Sequence, residues 1–531
     1  MKGIFGVTLY SCIRALFHVA GGFFYATIEV NGLEHVPEEG EPTILCFNHG
    51  NSLGDAVVVM RCTPLTLRFC AKDSLWKVPI MGQFVNWSGA VPVYRIRDHG
   101  LTARDLNKSM YSAVYDTLAK GDVVGIAPEG TCRFLPYMAK IKTGTARIAL
   151  GAVRQNIKTN PNFRIKICTC GLTYTHREKF RSDVSVQYNE PIVVDASWLE
   201  GGGRFDDYET AVRALSKEIE GKLWSVTINC PDWETTMAAM TAARLHRPLG
   251  TKISLTQYLR HLRGWVEILK PNEEGKQEGE NATMDADVVF IRGKLLEYQK
   301  LLDFKKIKDI RVRQREHEGA LPKYVIVLRM IVRAALCTGL LVCAIPGLVV
   351  WSPVWVFIKA RERHLMSKGP TWNDSIAEMK MLYSFVGAIA ITVLSLLLSR
   401  GSFAVTGCVL LWLALTVRFY ESGLASARSF YTLWKLLFLY ESTMTRLRKM
   451  RRECKALVEK MSKKLPPAAL HAADDAAETF YEKTKNLPWY SLWWYEWTFA
   501  RFLWQSLMRR EKKDWNELLR FNDYNTMNYV E

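Results

Sequence analysis

A histidine and an aspartate stand close together in Asn48-His49-Gly50-Asn51-Ser52-Leu53-Gly54-Asp55, directly after the apolar run Thr43-Ile44-Leu45-Cys46-Phe47. A neutral imidazole can take a proton from a hydroxyl near pH 7, and a carboxylate on its other ring nitrogen fixes the tautomer and steadies the imidazolium that forms. Three other apolar runs end in residues that could serve such a reaction. Gly89 to Val93 leads to Arg95, a permanent cation suited to bidentate contact with phosphate. Val123 to Ala127 leads to Pro128-Glu129-Gly130-Thr131, with Arg133 and Lys142 following. The run from Lys166 ends in Gly171-Leu172-Thr173-Tyr174-Thr175-His176, trailed by Arg177, Lys179 and Arg181. Singly, each reads as a turn or a solvated charge. Four strand ends of this kind in one order are what give the His–Asp pair its weight.

The elements that must position these residues alternate short apolar strands with helical patterns, the rhythm of an α/β domain over residues 26–200. Strands are expected at 27–30, 43–46, 67–71, 90–93, 123–127, 166–172 and 184–188, with helices at 105–119 and 145–153. The fold class is an α/β domain, a mixed sheet flanked by helices, followed by a helical accessory region and a C-terminal membrane section. At the N-terminus, residues 1–25 read as an interfacial helix with Phe5, Leu9, Leu16 and Phe17 on its apolar side. Arg14 interrupts what would otherwise resemble a signal peptide.

The chain has 531 residues, 49% of them hydrophobic, and 71 Lys+Arg against 53 Asp+Glu give it a net charge of +18. A basic balance favours anionic partners, and its placement selects among them. Lysines and arginines cluster around uncharged runs at 334–358, 381–399 and 401–417, which points to a lipid bilayer and away from nucleic acid. The twelve cysteines are scattered with no CxxC, so reduced, buried thiols are expected, and no cluster has metal-ligand spacing.

Residues 201–323 read as charged amphipathic helix with a mobile acidic loop at 272–287. Residues 324–420 form the membrane section. Pro346 and Pro353 mark 334–358 as re-entrant, with three simple spans as the competing arrangement, and 381–399 with 401–417 as a transmembrane hairpin. Residues 421–531 hold a basic helix with a 3,4 seam (Leu437, Tyr440, Met444, Leu447, Cys454, Val458, Met461) that Arg451 interrupts, and a Trp-rich interfacial segment at 488–510.

With these motifs in hand, the chain resembles the glycerolipid acyltransferase family. The four blocks are Asn48 to Asp55, Gly89 to Arg95, Ala127 to Thr131 and Gly171 to Tyr174, and Ala71-Lys72-Asp73-Ser74-Leu75-Trp76 looks like the family's linker. Residues 171–182 look most like the fungal and protist enzymes that acylate glycerol-3-phosphate or dihydroxyacetone phosphate. Five residues separate His49 from Asp55 where the common pattern has four, and that branch shares the longer spacing. Cys132 displaces the arginine that usually follows Glu-Gly-Thr to Arg133.

The resemblance implies that His49 and Asp55 are catalytic, and that backbone amides of the Asn48 to Ser52 loop stabilise the oxyanion. Arg95, Arg133 and Lys142 would hold the phosphate, while Glu129, Gly130 and Thr131 shape the glycerol pocket. It implies acyl-CoA as co-substrate, neither cofactor nor metal, and sn-1 acylation to lysophosphatidate. The expected location is the endoplasmic reticulum membrane, multi-pass, with a cytosolic catalytic domain. A lysophosphatidate or other lysophospholipid acyltransferase is the alternative within the class, and a catalytically inactive membrane scaffold the alternative outside it.

Overall fold

The structure, a computed structural model, describes residues 9–77, 81–132, 135–177, 180–199, 204–247, 253–270, 286–309, 311–312, 323–367 and 373–466. The chain divides into two units, one of Met1–Asn229 with Thr371–Met381, the other of Cys230–Pro370 with Leu382–Glu531.

The first unit opens with α1 (Leu9–Phe24), β1 (Thr27–Asn31), β2 (Thr43–Phe47), α2 (Leu53–Cys62), β3 (Leu67–Lys72), α3 (Met81–Trp87), β4 (Val91–Val93) and α4 (Ile96–His99). It continues with α5 (Ala103–Ala119), β5 (Val123–Ile126), α6 (Gly144–Asn156), β6 (Ile165–Tyr174), β7 (Asp183–Tyr188), β8 (Ile192–Val194) and α7 (Tyr208–Val226). The sheet runs β1-β7-β6-β2-β5-β3-β4, with β8 also on β6. Strands β2, β3, β4, β5 and β6 are mutually parallel, while β7 and β8 lie antiparallel to β6 and β1 follows β7. The sheet is therefore mixed. All five parallel strands deliver their carboxyl ends to one edge, where α/β sheets bind ligands.

Strand β2 lies in mid-sheet and is buried along its whole length, which is why its sequence is an unbroken apolar run. Ile44 and Cys46 enter one core with residues of α5, α6 and α7, while Leu45 and Phe47 enter the opposite core with residues of α1 and α2. Two expectations change here. The boundary at residue 200 falls short, because Val212, Leu215, Ile219 and Leu223 of α7 complete the first core. Helix α1 turns its apolar side inward, with Ile13 and Phe24 buried and Tyr10 and Phe17 packed on the second core.

The second unit holds α8 (Trp233–His246), α9 (Leu255–Leu269), α10 (Ala286–Lys305), α11 (Lys323–Ser367), most of α12 (Asn373–Leu398), α13 (Phe403–Leu437) and α14 (Glu441–Ser462). The predicted seam is buried from Met444 onward, while Tyr440 near its start is exposed, and Arg451 fits within it because Asp309 pairs with its guanidinium and Tyr298 donates to the same carboxylate oxygen. Among the described residues, three helices are long and apolar enough to cross a membrane, at Lys323–Ser367, Glu378–Leu398 and Phe403–Leu437.

The break expected of a re-entrant segment does not form in the first of these. Helix α11 continues unbroken through Pro346 and Pro353. Pro353 lacks the N–H that would bond to the carbonyl of Val349, and Ser352 Oγ donates to that carbonyl at 2.8 Å instead. Three alternating spans would set the first and third helices parallel. A Cβ on Gly347 would fall 2.0 Å from Thr416 Oγ1, and one on Gly423 would fall 3.0 Å from Leu341, so α11 and α13 pack antiparallel through their glycines. The acidic loop lies outside the described residues apart from its last two, Ala286 and Asp287, which open α10. The Trp-rich segment lies wholly outside them.

Candidate active site

The chain leaves β2 at the carboxyl edge and is spliced there to β6. Asn48 Nδ2 donates to Leu172 O at 3.0 Å, and Leu172 N donates back to Asn48 Oδ1 at 2.6 Å. The loop then turns into α2, whose first turn carries Asp55. A carboxylate in that position is favoured by the helix dipole. The Asp55 side chain is fully buried and satisfied by three donors. Its Oδ2 accepts from His49 Nδ1 at 2.9 Å and from Asn51 N at 2.8 Å, and its Oδ1 accepts from Tyr174 Oη at 2.6 Å.

With Nδ1 bonded to a carboxylate, the imidazole takes the tautomer in which Nε2 is the basic nitrogen. The side chain of His49 is 27% exposed, so the ring stands at a solvent-reachable surface above a buried charge. Tyr174 remains a donor because burial, the Asp55 charge and the nearby Tyr25 push its phenol well above the ordinary tyrosine range. Tyr25 is likewise buried, accepts from Asn51 Nδ2 at 3.1 Å and lies ring to ring with Tyr174 at 5.8 Å.

Glu129 joins the site as a support for its backbone. From the β5 exit its Oε1 accepts from His49 N at 2.7 Å and its Oε2 accepts from Ala139 N at 3.1 Å. Burial raises its carboxyl above the usual range, opposed by those two amides. This bears on the expected oxyanion donors: His49 N and Asn51 N already serve carboxylates, which leaves Asn48, Gly50 and Ser52 as the loop's candidates.

Gly130 follows with φ +65°, a left-handed conformation that suits glycine, and a Cβ there would lie 3.0 Å from Lys142 Nζ. Lys142 is thereby fixed beside the β5 turn by its own backbone bond to Pro128 O at 2.9 Å. Thr131 is half-buried in the same turn.

Arg95 leaves the far edge strand β4, three strand spacings or about 14 Å from β2, and Asp98 already holds its guanidinium, with Nε donating at 2.7 Å. Asn107 clamps this exit through Tyr94 N and Tyr94 O at 3.0 and 2.7 Å. Arg133 lies outside the described residues.

Several contributors carried no assigned role in the sequence reading. Tyr174 and Asn51 stood inside quoted motifs, but nothing in their spacing showed that both converge on Asp55. Arg177, noted only as trailing charge, donates from Nη1 to Gly50 O at 2.7 Å, and its guanidinium lies 3.5 Å from where a Gly50 Cβ would stand. Ser52 adopts φ +48° and ψ −122° at the N-cap of α2, and its Oγ donates to Glu378 at 3.0 Å.

A parallel-edge site in which a buried aspartate backs a solvent-reachable histidine fits transfer to a hydroxyl, and the comparisons with known proteins define the class. Residues 27–173 match the family model described as Acyltransferase, so the first unit carries an acyltransferase domain. Within that class the chain is 25% identical over 462 residues to glycerol-3-phosphate O-acyltransferase 2 of Saccharomyces cerevisiae, covering 68% of this chain and 60% of that protein. It is 28% identical over 281 residues to glycerol-3-phosphate O-acyltransferase 1 of the same yeast, covering 51% and 35%. The matches thus span less than two thirds of either relative. Among solved structures, the 1-acyl-sn-glycerophosphate acyltransferase PlsC of Thermotoga maritima aligns with a TM-score of 0.30 at 17% identity, over 41% of this chain and 77% of that one.

Proposed function

We propose that this chain transfers an acyl group from acyl-CoA to the sn-1 hydroxyl of glycerol-3-phosphate, giving lysophosphatidate, with dihydroxyacetone phosphate as a second acceptor. The observation that carries the reading is Asp55, buried and held by His49 Nδ1, Asn51 N and Tyr174 Oη, which presents Nε2 of His49 as the base. The similarity to two yeast enzymes named for glycerol-3-phosphate supports the choice of acceptor.

In this mechanism His49 Nε2 takes the hydroxyl proton as the acceptor oxygen bonds to the thioester carbonyl carbon. Asp55 stabilises the imidazolium, and collapse of the tetrahedral intermediate breaks the C–S bond. The imidazolium then returns the proton to the departing thiolate, so the base is regenerated and no acyl-enzyme forms. Lys142, with Arg133, Arg95 and Arg177, supplies cations for the acceptor phosphate. The Gly130 turn lets backbone approach the glycerol. Neither a metal nor a further cofactor takes part.

The reaction joins a hydrophilic acceptor to a lipid chain, and the three apolar helices provide the lipid contact. Basic flanks of the apolar runs favour an endoplasmic reticulum location with the acyltransferase domain in the cytosol. The test is purified protein in lipid nanodiscs with labelled acyl-CoA and, in parallel, glycerol-3-phosphate, dihydroxyacetone phosphate and lysophosphatidate. Glycerol-3-phosphate is expected to give the highest kcat/KM. Transfer to lysophosphatidate alone would overturn the reading.

A further inference from the structure

The N-cap serine of α2 does not cap its helix. Ser52 makes no side-chain cap bond, holds the left-handed φ of +48°, and directs Oγ to Glu378, 326 positions away in the sequence. Serine at an N-cap ordinarily bonds the N2 or N3 amide of its own helix, so a remote partner replaces a local one. A non-glycine residue in such a conformation persists only where its surroundings over-determine it. The strained residue lies between His49 and Asp55.

Glu378 itself is firmly placed. It belongs to the start of α12, where Ile376, Met379 and Met381 are buried and Met381 enters the core that also holds Phe47, Val57 and Leu172. The same helix continues beyond Met381 into the uncharged run that ends at Leu398, part of a span with mean hydropathy 2.3. One helix thus carries the carboxylate that restrains the His–Asp loop and a segment built for lipid.

We infer that Glu378 is a positioning residue: through Ser52 it holds the Asn48 to Asp55 loop in its working conformation, and insertion of the rest of α12 into a bilayer keeps it there. The inference rests on the acyl-transfer reading for its kinetic consequence only. Loss of the bond leaves His49 and Asp55 in place chemically but widens the range of conformations between them, so turnover falls while acceptor binding is preserved.

The experiment is a double-mutant cycle on the full chain in nanodiscs, with Glu378→Ala, Ser52→Ala, the pair together and Glu378→Gln. Each single alanine variant is expected to lower kcat about tenfold, the scale of a lost hydrogen bond to a charged group, with KM for glycerol-3-phosphate within about twofold. The double variant should lose no more than either single one, because both remove the same bond. Glu378→Gln, which keeps an acceptor oxygen, should recover most of the rate. Moving the wild type from nanodiscs to detergent should lower kcat, and Glu378→Ala should be indifferent to that change.

Amide hydrogen exchange over residues 48–55 gives a readout independent of activity: faster exchange in Glu378→Ala supports the inference, and unchanged exchange overturns it. Multiplicative losses in the double variant overturn it equally. A wild-type chain that transfers no acyl group would instead overturn the proposed function, with the exchange result still deciding the role of Glu378. Ser52→Ala, made at the loop end of the bond, carries the cycle if Glu378→Ala fails to fold.

Discussion

Tyr174, at the end of β6, donates its phenol hydrogen to Asp55 Oδ1 at 2.6 Å, across 119 positions of sequence. The bond ties the carboxylate of the His–Asp pair to the strand beside β2, so the pair's geometry is set by sheet register as well as by its own loop. Replacing Tyr174 by Phe removes one of three donors to a buried charge. A hydrogen bond to an ionised group contributes about 1.5–3 kcal/mol, so Tyr174→Phe should lower both Tm and kcat, the latter by about tenfold. The phenol is held well above its ordinary pKa, which keeps it protonated and donating as pH rises. The alkaline limb of the pH–rate profile should therefore be the same in wild type and variant, and a limb that disappears in Tyr174→Phe would show that the phenol titrates in the working range.

The pair itself predicts a sharper loss. His49→Ala removes the base and should reduce kcat by about 10²–10⁴-fold, the usual contribution of general-base catalysis, and should lower Tm as well, because it takes away one of the three donors to the buried Asp55 carboxylate. Asp55→Asn should lose comparable activity for another reason, since an amide cannot steady the imidazolium and need not hold the reactive tautomer. It should also unfold at a lower temperature, because Asp55 is fully buried among three donors. Wild-type turnover by His49→Ala with intact expression would sink the mechanism.

Much of this was legible in the sequence for one physical reason. Central parallel strands are buried on both faces, so β2, β5 and β6 read as apolar runs, and each motif that follows begins where the run must leave the sheet. Strand β8 was not expected, being only three residues long with Val193 exposed between two buried neighbours. Helix α2 was hidden by Val57-Val58-Val59, β-branched residues that argue for strand until Asp55 and its donors anchor a helix start. The bond from Ser52 to Glu378 could not be read at all, because no local periodicity links residues so far apart. The prolines of α11 misled for the opposite reason: they signal a break locally, and Ser352 repairs the backbone that Pro353 leaves unsatisfied.

Gly130 offers a test of the phosphate side. At φ +65° an L-residue is disfavoured by roughly 1–2 kcal/mol, and its Cβ would press on Lys142 Nζ at 3.0 Å. Gly130→Ala should therefore lower Tm modestly and raise KM for glycerol-3-phosphate severalfold, with less effect on kcat because the His49–Asp55 pair is untouched. Lys142→Met should reproduce the KM effect without the loss of Tm, since Lys142 is exposed. Equal KM in wild type and Lys142→Met would remove this lysine from the acceptor site.

The antiparallel packing of α11 on α13 makes a prediction about sidedness. If both helices cross the bilayer, Lys323 and Leu437 stand at one side of the pair, while Ser367 and Phe403 stand at the other. The α11–α12 and α12–α13 connections then share a side, whereas alternating spans would place them on opposite sides. Single cysteines introduced at Ser367 and Ser402, in a chain whose exposed Cys12, Cys343 and Cys408 have been replaced by serine, should react together with a membrane-impermeant maleimide in sealed vesicles of one orientation. Labelling of one position and protection of the other would require three alternating crossings. The packing has its own control in Gly347→Leu, whose side chain must enter the space of Thr416, 2.0 Å from a Cβ at residue 347. That variant should separate the helices and lower thermal stability in detergent, while Gly339→Leu, at a position where a Cβ meets nothing within 4 Å, should leave it unchanged.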